Sequence, residues 1–103
     1  MKYQLVLQFS TKLIADYDEM VAVENELIEK LNEFAKVDGH DFGSGEMNVF
    51  IHTDEPAKVF EMIKPSMVKR KLIDNLTAAY RKMDGEDYMV IWPTGFTKQF
   101  RIT

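Results

Sequence analysis

Apolar and polar residues alternate from the first residues onward. Tyr3, Leu5, Leu7 and Phe9 fall on one side of a period-two pattern, and Gln4, Val6 and Gln8 on the other. Successive strand side chains point to opposite faces, so this reads as a half-buried strand. Residues 10–15 connect it to a helix. Asp16 reads as the N-cap, with Glu19 three positions on as its capping-box partner. Met20, Val23, Leu27, Leu31 and Phe34 then recur at intervals of three and four, one apolar stripe on a helix that ends near Lys36.

The segment Asp38-Gly39-His40-Asp41-Phe42-Gly43-Ser44-Gly45-Glu46 holds three of the five glycines and one of the two histidines. It predicts a turn after the helix, with Gly39 near a C-cap position, and a short strand over 40–42. Gly43-Ser44-Gly45 then makes a hairpin into a strand over 46–53. In that strand Met47, Val49 and Ile51 share one face, and Asn48, Phe50 and His52 the other.

Asp54 reads as the cap of a second helix, with Pro56 in the first turn, where its missing N–H costs nothing. A proline inside a helix costs about 3 kcal/mol, so Pro65 predicts a break or kink. Val68, Leu72, Leu76, Ala79, Tyr80 and Met83 then predict a further helical run. The last strand spans 87–92 and stops at Pro93. Phe96 and residues 100–102 form either a short returning strand or a tail packed on the core.

Strand, helix, strand, strand, helix, strand is the order of a ferredoxin-like βαββαβ sandwich. The expected class is therefore α+β, an antiparallel sheet with helices on one face. A sandwich with a different strand order is the alternative. With 103 residues the chain fits one domain. It has no cysteine, so neither disulfides nor thiolate chemistry enters, and packing alone holds it.

The charge pattern narrows the partners. Net charge is −4, which argues against nucleic acid. Between Asp16 and Glu61 there are thirteen acids against Lys30, Lys36 and Lys58; from Lys64 onward there are eight bases and four acids. Lys69-Arg70-Lys71 reads as a solvated helix face, or as a counterpart to the acidic first helix. Gln4 and Gln8 interrupt any signal-peptide run, and no stretch is long enough to span a bilayer. The expected setting is cytoplasmic, without a membrane partner.

Two constellations are candidates for a site. In the glycine segment, Asp38, His40, Asp41 and Glu46 are metal-ligand types, but no metal motif spacing is present. His40 beside Asp41 is a candidate acid–base pair. A phosphate cradle does not fit an acidic segment that leads into a strand. Ordinary turn chemistry accounts for the glycines, with Ser44 bonded to local backbone and Phe42 as an anchor.

The second candidate is the sheet face away from the helices. It would carry Phe50, His52, Tyr88 and Trp92 among the amides of Gln4, Gln8 and Asn48. Aromatics suit a protein interface. The competing reading is that Phe96 and Phe100 fold over this face, since large exposed apolar patches are rare on monomers. No catalytic residue, cofactor or metal is assigned.

Asp38 through Asn48, and Ala79-Tyr80-Arg81 through Asp87-Tyr88-Met89-Val90-Ile91-Trp92-Pro93, resemble segments of small uncharacterised bacterial ferredoxin-like proteins. In size and charge the chain is also similar to immunity proteins that neutralise a toxin. The expected function is a non-enzymatic protein-binding module that uses the open sheet face or the acidic helix against a protein partner, of immunity type as the likeness implies, or a homodimer. Its binding residues would be His40, Asp41, Ser44, Glu46, Asn48, Phe50, His52 and Trp92. The alternative is a small enzyme or a ligand- or metal-binding protein that uses residues 38–46.

Overall fold

The computed structural model describes residues 1–10, 17–43, 45–95 and 100, without the side chains of 17, 42 and 43. The expected cap at Asp16, the roles of Ser44 and Phe96, the Phe42 anchor and a strand over 100–102 lie outside that description. In chain order come β1 (Tyr3–Ser10), α1 (Tyr17–Leu31), β2 (Lys36–Gly43), β3 (Glu46–Thr53), α2 (Pro56–Lys69), β4 (Leu76–Lys82) and β5 (Met89–Trp92). A 3₁₀ turn over Ile73–Asn75 precedes β4.

The strands form one five-stranded sheet in the order β2-β3-β1-β4-β5, and every neighbouring pair is antiparallel. The class is α+β, as the order of elements predicts. The strand order departs from the four-stranded ferredoxin-like arrangement by the addition of β5 beside β4.

Both helices lie on one face. Leu5, Leu7 and Phe9 of central β1 and Met47, Val49 and Ile51 of β3 are fully buried in the main core. Met20, Val23, Leu27 and Leu31 of α1 and Val59, Phe60, Ile63 and Met67 of α2 close over them. Each such Leu, Ile or Phe side chain contributes about 1.5–3 kcal/mol by leaving water.

Three expectations need correction. First, α2 runs through Pro65 to Lys69. Ile63 and Met67, either side of the proline, are anchored in the core, while Glu61 and Pro65 are exposed. The carbonyl that Pro65 leaves unpaired one turn back can therefore bond water. The helix ends in a Schellman-type turn instead. The Leu72 N–H donates to Met67 O at 2.9 Å, and Lys71 takes a left-handed φ of 62°.

Second, the segment after Leu72 is a 3₁₀ turn and strand β4, not a second helical run. Leu76 and Ala78 are fully buried on the helix side, and Ala79 on the other. The fourth strand of the expected order is therefore 76–82, and 89–92 is the extra edge strand.

Third, Asp54 does not cap α2. The N-cap is Glu55, which makes no side-chain capping bond. Asp54 accepts the Lys2 backbone N–H at 2.8 Å and so ties the start of β1 to the end of β3.

Helix α1 also ends earlier than its apolar stripe suggests. Asn32 adopts a left-handed φ of 45°, and Phe34 packs against the core from the turn beyond it. That leaves residues 36–43 free to form a full edge strand.

Candidate functional site

The glycine segment is mostly strand. Gly43 pairs with Glu46, which closes a tight hairpin, and Gly45 takes φ 81°. Gly39 is not a helix cap. It sits at φ 141°, where the register of β2 against β3 shifts between Val37 and Gly39. Asp38 is the extra residue of that bulge.

The register decides which candidate residues meet. His40 pairs across from Val49, and Asp41 from Asn48. Val49 faces the helices and Asn48 faces away, so His40 and Asp41 point to opposite faces and form no acid–base pair. His40 turns instead toward α1, where its Nδ1 lies 2.7 Å from Glu24 Oε2. On the other face, His52 Nε2 is 3.5 Å from Asp38 Oδ2. Each histidine of the described residues thus has its own carboxylate, one on each side of the sheet. Among the described residues no group of three His, Asp or Glu side chains is placed to hold a metal ion.

The outer face is ordered in rows across the strands. Asp41, Asn48, Gln8 and Thr77 are successive cross-strand neighbours and make a polar row. Gln8 Nε2 donates to Asn48 Oδ1 at 3.1 Å. Asn48 is fully buried, and its Nδ2 has no hydrogen-bond partner among the described residues. The next row is Phe50, Val6, Ala79 and Val90. Val6 and Ala79 are fully buried, and Phe100 is 7% exposed against them. The rings of Tyr88 and Phe100 lie 5.0 Å apart. Phe100 therefore covers the apolar row, as the competing reading of this face expects.

Trp92 is not on that face. The pairing of β4 with β5 shifts between Ala78 and Ala79, where Ala78 meets Trp92 and Ala79 meets Val90. The bulge turns Trp92 to the helix side. There it packs against Phe60 at 6.0 Å between centroids and donates Nε1–H to Ile73 O at 3.0 Å. The Lys64 ammonium sits 4.5 Å from the Trp92 ring centroid.

Glu46, the remaining candidate, stands at the hairpin end opposite Ser10 and Gly43. Ser44 lies outside the described residues. Sequence reasoning put Gln8 and Asn48 on one face, and a hydrogen bond joins them there; it did not find Glu24, which comes from a different element than the histidine it meets.

The sheet order also sorts charge. Positions 17–53, which build α1, β2 and β3, carry nine acids and two lysines. Positions 54–95, which build α2, β4 and β5, carry seven of each sign. At the seam between the helices, Arg70 donates to Glu26 Oε1 through Nη2 at 2.8 Å and Nε at 3.2 Å, and Lys30 donates to Ser66 Oγ at 2.9 Å. The Arg70 hydrogen bond holds the Glu26 carboxyl below its ordinary range, against an opposing effect of burial. Arg70 thus answers one acid of α1, and the excess negative charge remains on the side bounded by β2.

No helix among the described residues is long and apolar enough to cross a membrane. Comparisons with protein-family models, curated proteins and solved structures return no match to this chain.

Proposed function

We propose that this chain is a non-catalytic protein-binding module whose working surface is its acidic side, α1 together with edge strand β2. The observation that carries the reading is the sorting of charge, nine acids against two lysines on the half that ends at the outer strand β2. A surface of one sign steers a partner of the other, and that partner is a basic protein. The broad outer face is the weaker candidate, because Phe100 already lies over its apolar row. Catalysis is the weaker reading too, since the two histidine–carboxylate contacts sit on opposite faces and converge on no common point. A toxin-neutralising role in the bacterial cytoplasm is one form such a module would take.

A displayed library of random peptides tests this. Selection on the purified protein should enrich Lys- and Arg-rich sequences, whose binding weakens as salt rises. Enrichment of acidic or purely apolar sequences, or binding indifferent to salt, overturns the reading.

A further inference from the structure

We propose that a basic, extended segment of a partner protein binds by adding a sixth strand to the outer edge of β2. The inference rests on the protein-binding reading above and specifies how the partner is held. β2 is eight residues long and stands at the end of the sheet order, paired only with β3 among the described residues. No described strand pairs with its outer edge, and strand addition there would draw affinity from main-chain bonds and choice from side chains.

Charge selects the occupant. Asp38 and Asp41 are both exposed on β2, and His40 on the other face already lies against Glu24. A strand laid beside them meets carboxylates at its outward positions, which Lys or Arg side chains answer. A second copy of this chain fits poorly. Antiparallel pairing of two full-length β2 strands, residues 36–43 of each, sets Asp38 of one copy opposite Asp41 of the other, and does so twice. Like charges directly opposite destabilise a sheet. The other edge, β5, is four residues long and offers less backbone. The bulge at Asp38 divides the β2 edge, so the regular stretch from His40 to Gly43 is the better seat, with Asp38 as a flanking anchor for a cation.

The experiment uses the isotopically labelled full chain and three synthetic peptides. One alternates lysine with valine and threonine; one carries glutamate in place of lysine; one is the basic peptide N-methylated at alternate residues, so that one edge cannot hydrogen-bond. The unmodified basic peptide should shift the amide resonances of residues 36–43, and N-methylation should weaken it about tenfold or more. The double substitution Asp38→Asn, Asp41→Asn should weaken it as well, with the dispersion of the free spectrum unchanged. If the basic peptide binds equally with and without N-methyl groups and shifts α1 instead, strand addition is wrong while the basic-partner reading stands. If the glutamate peptide binds as tightly as the lysine peptide, both are wrong. If no peptide shifts a β2 amide, strand addition is wrong.

Discussion

His40 Nδ1 lies 2.7 Å from Glu24 Oε2, so the edge strand β2 is joined to helix α1 by a side-chain bond across the rim of the core. Both side chains are partly shielded, at 27% and 20% exposure. A double-mutant cycle with His40→Ala and Glu24→Ala should give a coupling of about 0.5–1.5 kcal/mol by urea denaturation. Zero coupling would mean that the contact does not hold β2 in place.

Glu26 and Arg70 tie the helices together. The folded carboxyl titrates below its ordinary value, chiefly through the Arg70 hydrogen bond. Its contribution is complete above the ordinary glutamate range and is lost as pH falls through the depressed folded value. With about a third of Glu26 exposed, solvent screening keeps the effect under about 1 kcal/mol. Arg70→Met should lower the urea midpoint at neutral pH, and the gap to the parent protein should close in acid. A gap independent of pH would show that Arg70 acts through packing alone.

Arg81 Nη1 donates to three carbonyls, those of Lys82 at 3.0 Å, Met83 at 3.0 Å and Gly85 at 3.1 Å. One guanidinium therefore holds the turn between β4 and β5. Arg81→Met should cost about 1 kcal/mol, because the three carbonyls lose their shared donor. Hydrogen exchange at the Gly85 amide, which donates to Lys82 O, should accelerate with it. Unchanged exchange would show that the turn holds without the guanidinium.

Asn48 is fully buried, and no described residue hydrogen-bonds its Nδ2. An apolar side chain of similar size avoids that desolvation cost, although Gln8 then loses an acceptor. Asn48→Leu should stay within about 1 kcal/mol of the parent in urea denaturation. Asn48→Asp should cost more than about 2 kcal/mol, since it buries a charge opposite Asp41 on the neighbouring strand. A tolerated Asp would mean that water reaches the site.

Gly39 occupies φ 141°, and a Cβ built there meets nothing within 4 Å. Any cost of Gly39→Ala is therefore conformational. About 1–2 kcal/mol is expected, read from the thermal midpoint. A neutral result would show that the bulge relaxes into an ordinary strand.

Much of the fold is legible from spacing. β1, β3 and the stripe of α1 carry patterns with a single period; both strands appear where the pattern puts them, and the helix does so as far as Leu31. β4 was not legible, because two periods overlap in it. Leu72, Leu76, Ala79, Tyr80 and Met83 fit a helix, while Leu76, Ala78 and Tyr80 fit a strand, and the sheet beside β1 decided between them. The site was half legible. The residue types around His40 and His52 stand out in the sequence, but their partners do not: Glu24 reaches His40 from α1, and Asp38 reaches His52 from the bulge. A bulge inverts everything beyond it without a sign in the hydrophobic pattern, and the one in β5 did the same to Trp92.

Phe100 changes what the sheet is. With Val6 and Ala79 beneath it, the side away from the helices acquires an interior of its own along that row. A wall furnished on both sides has little plane surface to offer, and what it can share with another molecule is its rim. There the chain presents peptide groups in sequence, so recognition at the rim turns on how far a visitor can extend alongside, residue by residue, more than on the shape of any hollow.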